Sequence, residues 1–361
     1  MNNNSPKLFI KISKLNVHIL VGQADEQNDF KIKHQLNLPT SGLSENNISN
    51  IEEVTDSIKK SVLQIEQKIN FTFKDLVIIL DFFEISFLNL TGYRKLNGTQ
   101  ISKENISYIL NDLKSSVNEI ENKKKILHIF SSNYYLDKKL VENLPIGLFG
   151  DFYSHELSFN LINKNDFKNL QNIFEKCNLK IKKILLNSFV TGSLLSDSNS
   201  KINTFFHIQI NKESSKIFYV ENDSIKFEQK FKFGTEIILR DIAKITFLKI
   251  DIIENILKQN PYIHKVSENE LVGKEYFKDQ QYRPIKKKLI LNIAEARIKE
   301  LSDLMYYKNI NLKRSLEKIE VIFLEITDKI NLKCFEEIYK NFISNNNQFK
   351  IKFYDKPDVE V

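Results

Sequence analysis

The sequence predicts an α/β protein with more than one core. Residues 205–258 carry the clearest pattern. Apolar runs at 205–210, 217–220 and 225–233 are parted by a polar tip at 211–215 and a polar turn at 221–223; Gly234 then precedes a helical pattern that opens at Thr235-Glu236 and carries Arg240-Asp241-Ile242-Ala243. A second helical pattern, 251–258, ends at Pro261, where a proline ring stops a helix. Runs of strand length and segments with helical apolar spacing recur along the rest of the chain. The length of 361 residues is enough for two or more cores, because single cores stop growing near ~250–300 residues.

In order, residues 8–12 and 17–21 read as strands around a turn at 13–16, closed by Gly22. Residues 50–70 form a helix: Ile51, Val54, Ile58, Val62, Ile65 and Ile69 share one face, and Glu52-Glu53 suit its positive first turn. Strands follow at 76–80 and 85–90. Residues 81–161 then read as short strands around a helix at 102–117. Gly147 and Gly150 suit turns with positive φ. A helix at 167–177 displays Leu170, Ile173, Phe174 and Cys177, and 181–189 reads as a buried strand running into a helix start. Residues 194–202, with Ser196-Asp197-Ser198-Asn199-Ser200, read as a polar linker. After Arg283-Pro284 a long helix spans 286–305, with Ile290, Leu291, Ala294, Ile298, Leu301 and Met305 as its stripe. A strand at 321–324, a helix at 333–343 and a strand at 349–353 close the chain.

Composition excludes several classes. The net charge of +7 is spread out, densest at 123–125 and 286–288. It permits acidic partners, but no nucleic-acid motif and no strand of interleaved aromatic and basic residues occurs, so nucleic acid is not expected. The most apolar region, 76–90, is cut by Asp81 and Glu84, far short of the ~20 apolar residues of a membrane span. Residues 1–7 are polar and form no signal peptide. Cys177 and Cys334 stand far apart without ligand spacing, which fits buried thiols in a reducing cytoplasm. No nucleophile elbow, Walker loop, paired metal ligands or His-containing triad pattern is present. His128 ends an apolar run, where packing or a satisfied hydrogen bond is the ordinary role.

The stretch from Phe233-Gly234-Thr235-Glu236 to Asp241-Ile242-Ala243 resembles FtsA, the bacterial actin-like cell-division protein. So does Ile126-Leu127-His128-Ile129, leading through Tyr134-Tyr135-Leu136-Asp137 to Asn143-Leu144-Pro145-Ile146-Gly147-Leu148-Phe149-Gly150. The start Ser102-Lys103-Glu104-Asn105 is similar to the family's Thr-x-x-Asp entry, and Glu295-Ala296-Arg297-Ile298-Lys299-Glu300 to its Glu-x-Arg-x-x-Glu helix. The resemblance covers about residues 8–355. It implies an actin-like (ribonuclease H-like) two-lobed fold with an inserted 1C subdomain. Lobe I (1A) would take 1–80 and 162–195, the 1C insertion 81–161, lobe II (2A) 196–235 and 306–361, and subdomain 2B 236–305.

The family binds ATP through glycine-rich loops, and those loops are degenerate here. Aligned on the family's Asp-Ile-Gly-Thr-Ser-Lys-Val, Lys11 takes the place of the Asp and Ser13 that of the Gly. The Asp normally organises the waters on Mg²⁺. A cation there costs about 4 kcal/mol against another unit charge at ~4 Å and an effective dielectric of ~20. Lys11 either caps a strand end or stands in for the metal against phosphate. In the family's Asp-Ile-Gly-Gly-Gly-Thr-Thr-Asp turn, Gln209 replaces the leading Asp, Asn211, Lys212 and Glu213 the glycines, and Lys216 the closing Asp. Where the family reads Thr-Gly-Gly-Gly around the adenosine, this chain has Glu325-Ile326-Thr327-Asp328. Glu254 and Lys258 are close to the family's nucleoside-facing Ala-Glu-x-x-Lys helix, and a solvated helix face explains them equally well. Only 9 glycines occur in 361 residues, against ~7% on average. No catalytic residue, ATP or metal is therefore expected.

The resemblance implies a cytoplasmic adaptor that links FtsZ to the division machinery, at the cytoplasmic face of the inner membrane at the division site. Arg283, Lys286, Lys287, Lys288 and Arg297 would give a cationic face for the acidic FtsZ tail, with a solvated helix face as the alternative. Other division proteins, and self-association, would use 1C. The family's terminal amphipathic membrane anchor has no counterpart at 358–361. Two other functions fit the same scaffold: an active ATPase with divergent loops, and a type IV pilus assembly relative.

Overall fold

The computed structural model describes residues 5–13, 16–24, 30–39, 41–44, 47–199, 202–259, 266–277, 281–319, 321–327, 333–345 and 350–354. The chain divides into two compact units, residues 1–200 with 222–226, and residues 201–221 with 227–360.

The first unit opens with three antiparallel strands, β1 (Lys7–Ile12), β2 (Asn16–Ala24) and β3 (Phe30–Pro39). A small hairpin, β4 (Leu43–Ser44) and β5 (Asn47–Ile48), leads into α1 (Ile51–Ile69). The Asn50 side chain accepts from the Glu52 and Glu53 amides and starts that helix. Asn70, left-handed at φ 50, ends it. The strands β6 (Asp75–Leu80) and β11 (Lys180–Leu186) add in parallel, giving the order β11-β6-β1-β2-β3. Leu8, Ile10 and Ile12 of β1 pack with Val54, Ile58, Val62 and Ile65 of α1, and with Leu170, Ile173 and Phe174 of α3 (Lys164–Lys176).

Between β6 and α3 lies a separate antiparallel sheet. It comprises β7 (Ile85–Lys95), β8 (Lys124–Leu136), β9 (Lys139–Val141) and β10 (Phe152–Asn163) in the order β7-β10-β8-β9. Its three main strands run 11, 13 and 12 residues, not the short strands expected. One helix, α2 (Lys103–Ile120), covers a face: Val117 packs with Leu157, Phe159 and Leu161, and Ile109 with Tyr153. Ser102 and Asn105 form a reciprocal capping box at its start. Gly147 has φ +86 as expected of a turn glycine, and Gly150 instead sits against Leu136.

Residues 187–198 form α4 (Asn187–Ser198), so the predicted linker at 194–202 is helical through Ser198. Leu195 is buried on its inner side, which holds the polar Ser196-Asp197-Ser198 turn in the helix. The boundary drawn at 195/196 accordingly falls inside α4, and that at 161/162 inside β10.

The second unit repeats the first strand order. The strands β12 (Phe205–Ile210), β13 (Ser215–Glu221), β14 (Ser224–Phe231), β15 (Val321–Ile326) and β16 (Lys350–Phe353) lie in the order β14-β13-β12-β15-β16. As in the first unit, the earliest strand is central, antiparallel to the second and parallel to the fourth. The helices α5 (Thr235–Thr246), α6 (Ile250–Gln259), α7 (Lys287–Ser302) and α8 (Lys333–Asn345) share one core with Phe206, Ile208 and Ile210 of the sheet. The predicted helix 286–305 is shorter because a π-turn, Asp303–Tyr307, follows α7.

Candidate functional site

The sequence pointed to the tip between β12 and β13 as the place of a phosphate grip. Such grips aim bare backbone N–H groups at an anion. Here the helix that follows is already served. The Asn211 carbonyl accepts from the Thr235 amide at 3.0 Å, and the Lys212 carbonyl from the Glu236 amide at 2.9 Å. Both donors lie in the first turn of α5, whose Gly234 cap has no side-chain hydrogen bond. Gly234 is required by this approach: a Cβ there would lie 2.1 Å from the Asn211 oxygen and 2.6 Å from the Lys212 oxygen. Within the tip, Asn211 N–H donates to the Ser214 carbonyl at 2.8 Å, and the Ser215 hydroxyl donates to the Phe233 carbonyl at 2.7 Å. The Thr327 hydroxyl bonds the Asn211 side chain. Glu213 belongs to the same tip.

Beneath the tip, Gln209 is flanked in register by Lys216 on β13 and Glu325 on β15. Cross-strand neighbours share a face, so an amide stands between a cation and an acid. Lys216 and Glu325 are both buried. Gln209 Nε2 donates to Glu325 Oε1 at 3.1 Å. The other carboxylate oxygen lies 3.1 Å from His207 Nε2, and the two side chains are 1% and 4% exposed. Burial, and then the nearby Glu325 carboxylate, push the Tyr354 phenol above its ordinary range. Gln209, Glu325 and His207 thus form a buried polar cluster within the sheet. Sequence reasoning found Gln209, Lys216 and Glu325 but missed His207. The signal was its place two residues before Gln209, on the same face of an otherwise apolar strand. Ile326, next on β15, pairs in register with Ile210 and packs against the helix-side core.

In the first unit, Lys11 is half-buried on β1 between His18 of β2 and Ile79 of β6. Ser13 closes the β1–β2 turn by donating both its amide and its hydroxyl to the Asn16 carbonyl, at 3.0 and 2.9 Å. On α6, Ile252, Ile253, Ile256 and Leu257 are buried, with Glu254 half-buried and Lys258 exposed. Asp328 lies outside the described residues. Among the described residues no cluster of His, Cys, Asp or Glu could hold a metal ion.

No protein-family model matches the chain. Among curated proteins it is similar to the cell division protein FtsA of Buchnera aphidicola subsp. Schizaphis graminum, 23% identical over 235 residues, which is 65% of this chain and 56% of that protein. It is also similar to the FtsA of Bacillus subtilis, 22% identical over 312 residues, 84% of this chain and 70% of that protein. The FtsA of Neisseria meningitidis serogroup B is 22% identical over 81% of this chain and 70% of its own length. Over most of its length the chain is similar to FtsA proteins at 20–23% identity. It spans little more than half of the first of these proteins, at 56%. Its fold is actin-like. A chain of the solved PilM–PilN type IV pilus biogenesis complex superposes with a TM-score of 0.57 at 9% identity, covering 97% of this chain and 88% of that one; identity that low speaks for the fold alone.

The predicted cationic face is divided and locally paired. Lys286 donates to Asn269 at 3.1 Å, Lys287 to Glu270 at 2.8 Å, and Lys288 lies 3.8 Å from Glu268. The Lys287 contact holds the Glu270 carboxyl below its ordinary range. Arg283 donates to the Phe247 carbonyl at 2.9 Å, its guanidinium 5.9 Å from that ring's centre. Farther along α7, Arg297 pairs with Asp241 of α5 and with Glu300 at 2.8 Å. Of the five, only Arg297 lines the groove along α5 and α7, with Asp241, Lys244, Ile245, Ile293, Ala296 and Glu300. His128 packs against Phe130 and Phe189, with ring centres 5.6 and 6.0 Å away. Burial, then Lys183, lower its pKa; this is a packed neutral imidazole. Cys177 is half-buried, 3.7 Å from the Thr55 carbonyl, and burial pushes its thiol up to about 11. The Cys334 side chain lies outside the described residues. Among the described residues no helix is long and apolar enough to cross a membrane.

Proposed function

We propose that this FtsA relative is a non-catalytic docking protein of the division machinery, which receives the FtsZ tail and does not hydrolyse ATP. One observation carries the reading: the first amides of α5, the donors a phosphate grip would offer, are bonded to the carbonyls of Asn211 and Lys212. An anion at that position would meet carbonyl oxygens before it met N–H groups. The buried Gln209–Glu325–His207 cluster supports the same conclusion for the base. Isothermal titration with ATP, with and without Mg²⁺, is expected to give no heat of binding; micromolar affinity with turnover would overturn the reading.

For the partner, the groove along α5 and α7 suits an acidic peptide with apolar anchors. Ile245, Ile293 and Ala296 supply its apolar wall, Lys244 and Arg297 its cations, and Asp241 and Glu300, the partners of Arg297, its acids. Binding of an FtsZ-tail peptide is expected to weaken at least tenfold in Arg297→Glu, which sets a third acid beside Asp241 and Glu300, and to change little in Lys287→Glu, whose native lysine lies outside the groove. Absence of binding by the unaltered chain would reject the FtsZ role. The work site is the cytoplasmic face of the inner membrane at the septum, and a fluorescent fusion that stayed diffuse would contradict it.

A second reading has its own support. The similarity to a chain of a type IV pilus biogenesis complex fits a pilus-assembly adaptor that binds the short tail of a membrane protein. A pull-down that retained such a tail and ignored FtsZ would favour it.

A further inference from the structure

The insert ends in an apolar loop that the reading above leaves unused. Residues 142–151 join β9 to β10 at the end of the sheet where β7 finishes and α2 begins. Leu144, Ile146, Leu148 and Phe149 all point outward, Leu148 51% and Phe149 67% exposed. Phe152 stacks on Tyr93 of β7, ring centres 5.5 Å apart, and both are exposed. These side chains are not outward for want of order. Gly147 N–H donates to the Ile101 carbonyl and Ile101 N–H to the Leu148 carbonyl, each at 2.9 Å. Ile146 N–H donates to Leu144, Leu148 N–H to Pro145 and Gly150 N–H to Thr99. The loop backbone is therefore tied down internally while its side chains face solvent. At the apex, a Cβ on Gly147 would find nothing within 4 Å, so the loop is convex there.

We propose that this loop seats on an anionic lipid bilayer surface. Three features favour a bilayer over a protein groove. A hydrocarbon boundary offers no hydrogen bonds, so only backbone already satisfied can enter it, and the amides of 146, 147, 148 and 150 are satisfied. The side chains are the aliphatic and aromatic set of interfacial anchors. Around them, Lys95, Lys138 and Lys139 are exposed and join no ion pair among the described residues. Their stems can lie along the apolar surface while the ammonium groups reach lipid phosphates. Of the nearby acids, Asp137 is exposed but one of its carboxylate oxygens accepts from the Asp151 and Phe152 amides at 2.8 Å each. Glu142 and Asp151 remain at the rim and keep the attraction moderate.

The chain contains no tryptophan, so Phe149→Trp gives a single reporter at the apex. Emission of the full chain is read with vesicles of phosphatidylglycerol and phosphatidylcholine, and with vesicles of phosphatidylcholine alone, alongside co-sedimentation. The expected result is a blue shift and sedimentation with the anionic vesicles that weaken as salt rises. Leu148→Asp with Phe149→Asp should lower partitioning on the order of 100-fold, and Lys138→Glu with Lys139→Glu about tenfold or more. Circular dichroism of the variants checks that these surface changes leave the fold intact. No shift with either vesicle overturns the proposal, as does vesicle binding that survives the double aspartate change. A shift that appears on concentrating the protein without lipid, with a dimer in light scattering, also overturns it and assigns the loop to a second copy.

Discussion

The two five-stranded sheets share one strand order and differ in what their first hairpin carries. In both, the next-to-last residue of the central strand stands where the family's acidic residue belongs. In the first unit it is Lys11, beside Ile79; in the second it is Gln209, beside Glu325. The first hairpin closes on itself through Ser13 and Asn16. The second turns its carbonyls onto a helix N-terminus and surrounds an acid with His207 and Gln209. Topology fixes where the tips lie; their chemistry is set by a few side chains. The two hairpins therefore differ physically, with a half-buried cation in one sheet and a buried, internally paired polar interior in the other.

The comparison breaks most sharply at Glu325. Glu325→Ala strands His207 and Gln209 in a buried place and is expected to cost about 3 kcal/mol in chemical denaturation; a loss under about 1 kcal/mol would mean that the paired cluster does not distinguish the second sheet. Next comes acid sensitivity in the first unit. Burial, and then Lys226, lower the His155 imidazole to about 4. The unfolded chain takes up this proton near pH 6.5 and the folded chain does not, so stability falls as pH drops from about 6.5 to 4, by up to about 3 kcal/mol. His128 is lowered too and adds in the same sense. His155→Phe should flatten the slope in pH-dependent urea melts, and an unchanged slope would place the acid sensitivity elsewhere. Gly234→Ala pushes a methyl into two carbonyl oxygens and should destabilise by about 2 kcal/mol, while the same change at the open Gly98 meets only its own positive φ and should cost about 1 kcal/mol. The smallest effect is Ser102→Ala, which opens the capping box of α2 and costs about 1 kcal/mol or less, read as a shift in the denaturation midpoint.

Much of this fold is legible in the sequence because its elements announce themselves locally. The stripe from Ile51 to Ile69 and the Gly234-Thr235 helix start are examples. The strand β3 is harder to find: Ile32, Leu36 and Leu38 alternate with Lys33, Gln35 and Asn37, but each faces the core only partly, as on an edge strand. In β10 the apolar rhythm is interrupted by buried Ser158 and Asn160; Ser158 is satisfied across the ladder by Asn89 at 2.7 Å, which no local pattern reveals. The residues of the candidate site are readable as identities, while their partners are not. Lys287 meets Glu270 over a separation of 17 residues, and Gln209 meets Glu325 over 116. Such pairings are made by tertiary packing, so a run of lysines in the sequence looked like an open cationic face.

The strand β10 gives the insert a mechanical character. Its Ile162 belongs to the core of the first unit and pairs with Ile85, so the insert leaves and rejoins the chain at one place. Its other end, Phe152, carries the outward apolar rings. The ten residue steps of extended backbone from one to the other amount to a strut of about 33 Å, braced on both sides by β7 and β8. Whatever the apex rests on is held at a distance set by a rigid spacer, and lengthening or shortening that spacer by pairs of residues would change the height while keeping each side chain on its own face.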